Sequence, residues 1–169
     1  LTAPRGYCID EGSLRRTGGG GGVALVASCE SLTGTPGLAV APALMTVSVL
    51  ARDTDVPAPV TARLAAAVAP APVGVTGKAN GLAYAHVLEG GDEVLPGGDP
   101  KHWRGARVVG DRLVGLAVYA PAESPLAGDT GRRLLSDLAA GLGARPETET
   151  RPPDQASAGF LSRLFSGTN

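Results

Sequence analysis

At 169 residues the chain has the length of one ordinary domain with enough residues for a proper core. A formal net charge of −1, with no long run of like charge, excludes a protein that captures nucleic acid or an anionic membrane by its overall field. Aromatic residues supply only 4% of the chain, so the core must come mostly from Val, Leu and Ala, and 25 Gly with 14 Pro predict much loop.

Met45 is the only methionine, so Leu1 is not a translation start. A cleaved signal peptide is one origin of such an N-terminus, and a chosen boundary is the other. "PRGYCID" opens the chain as an extended segment with a turn. "RRTGGGGGVALVASC", residues 15–29, then offers two readings. An export signal ending in a lipoprotein-type cysteine needs an apolar run of about 7–15 residues. Only residues 23–27 are apolar here, and five glycines stand where that run should be. The alternative is a mobile glycine loop leading into a strand over residues 23–29, buried on both faces. The two cysteines, Cys8 and Cys29, read as one disulfide, which implies an oxidising compartment. Two buried free thiols are the alternative.

Residues 30–42 are predicted as loop, with Gly34, Pro36, Gly37 and Pro42 as breakers. "ALMTVSVL", residues 43–50, alternates as a strand, with Met45, Val47 and Val49 on one face and Thr46 and Ser48 on the other. In "APVTARLAAAVAP", Pro59 suits a first helical turn, Val60, Leu64 and Ala67/Val68 share a face, and Pro70 stops the helix. "VTGKANGLAYAHVLEG" reads as a turn followed by a strand over residues 82–88, and residues 90–100 as loop. "WRGARVVGDRLVGLAVYA" is a hairpin turning at Gly110-Asp111, of type II′ or I′. "SPLAGDTGRRLLSDLAAGLG" is a helix with Leu134, Leu135, Leu138 and Leu142 inward, Asp129 as cap, Gly143 as stop and an Arg133–Asp137 pair outside.

The domain is expected to span residues 1–145, followed by a polar, proline-containing linker over 146–158 and a short amphipathic segment over 159–169. In "GFLSRLF" the side chains of Phe160, Leu161, Leu164 and Phe165 form one apolar face at helical spacing, and both phenylalanines of the chain are here. Such a stripe either docks in a partner's groove or folds back on its own domain. Arg163 alone attracts anionic lipid weakly, which favours a protein partner over direct membrane binding.

Chemistry is sparse. The run of glycines at 18–22 precedes its strand, whereas a dinucleotide fingerprint follows one, and Ala79 stands where a phosphate loop needs a hydroxyl after Gly77-Lys78. With both cysteines paired, His86 and His102 are too few for a zinc site, so no metal and no cofactor are expected. Asp92 and Glu93 read as solvated loop carboxylates, and no Gly-x-Ser-x-Gly elbow occurs, so no catalytic residue is assigned. A cleft around Tyr84, His86 and Trp103 is the one alternative, suiting a small-ligand carrier or a hydrolase-type enzyme.

The order of elements (strand, strand, helix, strand, hairpin, helix) predicts an α+β domain, an antiparallel sheet with helices packed on it. "PRGYCID", "ALMTVSVLA" followed by a helix, the "WRG" strand paired with "RLVGLAVYA" and the closing leucine helix resemble the topology of the PsbP-like fold family. That resemblance implies an α/β/α sandwich. "PRGYCID" and "WRGARVVGDRLVGLAVYA" also resemble uncharacterised exported proteins of Rhodobacter-like alphaproteobacteria, which implies a periplasmic or otherwise extracytoplasmic place. Neither resemblance implies an activity. The resulting expectation is a non-enzymatic exported binding or assembly protein, an accessory component of a larger, membrane-associated envelope complex docked through its C-terminal segment.

Overall fold

The computed structural model describes residues 1–50 and 61–143. Seven strands form one antiparallel sheet: β1 (Tyr7–Thr17), β2 (Gly21–Ser28), β3 (Leu44–Val49), β4 (Val73–Ala79), β5 (Leu82–Val87), β6 (His102–Val109) and β7 (Arg112–Tyr119). Their order across the sheet is β1-β2-β3-β7-β6-β5-β4, with every neighbouring pair antiparallel. Four helices accompany them: α1 (Cys29–Thr33), α2 (Thr61–Ala67), α3 (Gly91–Val94) and α4 (Asp129–Ala140). This is the α+β class expected from the order of elements. Among the described residues no helix is long and apolar enough to cross a membrane.

The alternation of apolar residues decides what faces what. The register places Val26, Met45, Val118 and Trp103 side by side on one face, with Ala24, Val47 and Leu116 one step along. α4 covers this face. Its Leu134, Leu135 and Leu138 recur at the spacing that gives a helix one apolar stripe, and all three are buried in the same cluster as the strand residues. Burying these aliphatic side chains contributes about 1.5–3 kcal/mol each, and this interface is the principal core. α2 belongs to the opposite side of the sheet, where Ala83, Ala85, Val87, Ala117 and Tyr119 are buried.

Two turns show how the strands are joined. β6 and β7 pair up to Val109–Arg112, leaving Gly110-Asp111 as a two-residue loop. Gly110 has φ +60 and Asp111 is not among the positive-φ residues, which selects type II′ over type I′. β4 and β5 turn at Asn80-Gly81, with φ +49 and +78, the signature of a type I′ turn.

The structure departs from several expectations. The glycine run is the tip of the β1–β2 hairpin rather than a mobile lead-in: Gly18–Gly20 form a 3-10 turn and the Arg112 guanidinium donates to the Gly20 carbonyl at 2.6 Å. β2 is buried on one face only, because among the described residues no helix covers the other side of this half of the sheet; Val23 remains 38% exposed while Val26 is fully buried. A strand, β4, occupies part of the stretch read as a turn, and short helices interrupt the loops expected at 30–42 and 90–100. At α4 the cap position is Gly128, with Asp129 as the first helical residue, and Gly141 closes the helix before Gly143. Its ion pair joins Arg132 to Asp129 at 3.8 Å rather than Arg133 to Asp137, since Asp129 already sits in the first turn. Pro59, Val60, the 145 boundary, the 146–158 linker and the 159–169 segment lie outside the described residues.

Candidate functional site

Cys8 and Cys29 form a disulfide with Cα atoms 4.8 Å apart. It links the start of edge strand β1 to the first residue of α1, where the Cys29 N–H also donates to the Gly6 carbonyl. The pairing read from the two cysteines is therefore present, and among the described residues no cysteine is free.

Tyr84, His86 and Trp103 are brought together by sheet register. His86 lies opposite Trp103 on the neighbouring strand, and Tyr84 lies two residues back on the same face. The His86 and Trp103 rings stack with centroids 4.4 Å apart and planes 11° from parallel, and Tyr84 meets Trp103 edge-on at 6.0 Å. The polar atoms of the stack are used by backbone. His86 Nε2 donates to the Ala127 carbonyl at 2.7 Å, and Trp103 Nε1 donates to the Gly128 carbonyl at 2.8 Å. Both acceptors belong to the entrance of α4, so the stack fixes where that helix starts. Gly131, in the first turn of α4, lets the helix come down onto Trp103. Gly77 similarly leaves room for the Tyr84 ring, which gives the glycine of "VTGKAN" a packing role on β4. The three side chains converge, but they fill space against one another and do not line either of the two larger grooves.

A second stack lies on the other face of the sheet, where His102 packs on Tyr119 with centroids 4.9 Å apart. Burial pushes the His102 ring below the ordinary histidine range. Its contact with the Pro100 carbonyl opposes that shift, and the Arg104 and His86 charges add to it. Burial also raises the Tyr119 hydroxyl above its usual value, while Arg104 lowers it. The Arg104 guanidinium stands 6.0 Å from the Tyr119 ring centre.

Two open spaces flank the sheet. One, of about 270 Å³, lies between α2 and the sheet, with Thr46, Ser48, Arg63, Arg104, Leu113 and Gly115 among its lining. The other, of about 580 Å³, opens beyond the C-terminal end of α4, over Ile9, Ala24, Val47, Val49, Val114 and Leu142, and reaches Gly143. Arg104 was not singled out by sequence reasoning. The signal was a charge set between Trp103 and Gly105, on the face opposite Trp103, whereas the second arginine of the strand, Arg107, shares the Trp103 face and donates to the Ala139 carbonyl. Asp92 and Glu93 are exposed in the first turn of α3. Among the described residues no three His, Cys, Asp or Glu side chains converge as metal ligands. Phe160, Leu161, Leu164 and Phe165 lie outside the described residues.

Compared with family models, curated proteins and solved structures, the chain matches none.

Proposed function

We propose that this chain is a non-catalytic binding and assembly protein acting outside the cytoplasm, an accessory component of a larger envelope complex that it joins through its C-terminal segment. The observation that carries this reading is the spacing within the tail, where Phe160, Leu161, Leu164 and Phe165 fall on one face of a helix and include both phenylalanines of the chain. Among the described residues the core cluster runs from Tyr7 to Ala139, with Leu142 packed at its rim. A stripe at this spacing suits a helix laid in a partner's groove. The Cys8–Cys29 disulfide supports an oxidising compartment, and the periplasm is the specific assignment made here. Helices packed against both faces of one antiparallel sheet support the PsbP-like α/β/α layering as part of the reading.

The groove lined by Gly143 is the rival seat for the same stripe, because the tail follows Gly143 in the sequence. Removing residues 156–169 separates the two. Docking on a partner predicts an almost unchanged thermal midpoint and loss of every protein that co-purifies with the full chain. A midpoint that falls by many degrees, with co-purification retained, would refute the docking role and place the stripe on its own domain.

A small-ligand carrier is the second reading. It is favoured by the space beneath α2, where a buried atom of Arg104 has no partner among the described residues, rather than by the aromatic stack.

A further inference from the structure

The groove under α2 has the chemistry of a ligand site. Strand register sets Thr46, Ser48, Arg104, Ala106, Leu113 and Gly115 on one face of the sheet. α2 lies across that face and brings Arg63 and Leu64 to the groove, with Val68 following in the turn after the helix, yet none of the residues of α2 is buried. A helix that offers an apolar stripe to a sheet without burying it leaves a gap. Here the gap is about 270 Å³, or about nine water volumes, and its wall is mostly apolar.

Arg104 makes this gap more than a packing fault. Its Nε is buried and has no hydrogen-bond partner among the described residues. A guanidinium donor withdrawn from water without an acceptor is costly, and an anion that reaches it recovers the loss. Arg63 supplies a second cation at the rim, Thr46 and Ser48 supply hydroxyls, and no Asp or Glu lines the groove among the described residues. The remaining wall, Leu64, Val68 and Leu113, accepts hydrocarbon.

We propose that the α2 groove binds a small amphiphilic anion, an alkyl monocarboxylate of about eight carbons, with the carboxylate on Arg104 and the chain between α2 and the sheet. This assigns a site and a ligand class to the carrier reading. It does not depend on the tail, so truncation at residue 155 leaves it untouched and the two proposals fail separately.

The test is calorimetric titration of the full chain with octanoate, octanol and octyltrimethylammonium, with methyl-group NMR to locate the site. Octanoate should bind at least tenfold more tightly than the neutral and cationic probes, shifting methyls of Leu64, Val68 and Leu113. Arg104→Met, which keeps an apolar stem, should weaken octanoate at least tenfold. Gly115→Leu should abolish binding by filling the groove; a Cβ at Gly115 meets only Ser48 atoms, at 3.8 Å or more, so the strand accommodates the side chain. Circular dichroism and melting of both variants verify that they fold.

Three results would overturn the proposal. One is no saturable octanoate binding to the native chain. Another is equal affinity for all three probes. The third is binding that persists in folded Gly115→Leu, or shifts centred on Val49, Val114 and Leu142.

Discussion

Gly131→Ala tests the packing of α4 on the aromatic stack. Helix propensity alone predicts a gain, since alanine is favoured over glycine inside a helix by about 1 kcal/mol. The structure predicts a loss. A Cβ on Gly131 would overlap the Leu126 carbonyl oxygen and stand 2.8 Å from Trp103 Cδ1. The carbonyl is backbone and Trp103 is only 1% exposed, so neither yields cheaply. Overpacking of this kind costs about 1–3 kcal/mol. If the helix lifts instead, the Trp103–Gly128 hydrogen bond at 2.8 Å is strained, and a bond of this type contributes about 1 kcal/mol. The net expectation is a destabilisation of about 1–2 kcal/mol, or roughly 2–8 °C in thermal midpoint for a chain of this size. Urea denaturation followed by tryptophan fluorescence measures it directly, because Trp103 is the only tryptophan. Thr130→Ala, exposed in the same helical turn, is the control for propensity and should be neutral or slightly stabilising. A Gly131→Ala protein as stable as the native one, or more so, would show that α4 does not sit on Trp103 as described.

The hairpin, the disulfide and the buried histidine give three more expectations. Gly110→Val should lower stability by about 1 kcal/mol or more, purely through backbone strain at φ +60, because no atom lies near the added Cβ; an unchanged denaturation midpoint would contradict the type II′ turn. Free-thiol labelling of the denatured, unreduced chain should find no reactive cysteine, and Cys8→Ser/Cys29→Ser should cost about 3 kcal/mol by releasing a loop with a sequence separation of 21. Because burial holds His102 below its ordinary value, the unfolded chain takes up that proton first as pH falls. Its contribution is full above about pH 6.5, is lost as pH drops from there through the lowered folded value, and is constant below it. His102→Gln should remove that component, and parallel stability–pH curves for native and variant proteins would refute the assignment.

The legible parts of this fold were those whose evidence is local. β3 announces itself through Met45-Thr46-Val47-Ser48-Val49, the β6–β7 hairpin through Gly110-Asp111, and α4 through leucines at helical spacing. β4 was missed because an edge strand need not be apolar: "VGVTGKA" is exposed along most of its length and holds two glycines. Yet Asn80-Gly81 marked its hairpin as plainly as Gly110-Asp111 marked the other. β1 was read only as an extended start because its second half, "EGSLRRT", carries no apolar alternation and the strand is bulged between Asp10 and Arg15. The aromatic trio was found from the i, i+2 spacing of Tyr84 and His86, but whether it formed a cleft or a filled stack depended on where α4 landed. Arg104 and Ser48 belong to strands separated by 56 positions, and their shared groove exists only through β7 between them. No local pattern records that.

The strand order also makes the sheet two meanders joined along one seam. β1, β2 and β3 form one meander and β4, β5, β6 and β7 another, and among the described residues the only ladder between them pairs Leu44–Val49 with Val114–Tyr119. Within each meander, neighbours in sequence are neighbours in space. The seam instead joins Val49 to Val114, 65 positions away, and closing a loop of that length costs on the order of 4 kcal/mol in chain entropy beyond a constant. Folding should therefore be limited by the zipping of two preformed sheets, not by the making of either. Cutting the connection at residues 51–60 breaks no ladder among the described residues. Fragments 1–50 and 61–169 should thus reassemble without a covalent link, so the chain can serve as a split protein whose two halves report on one another's presence.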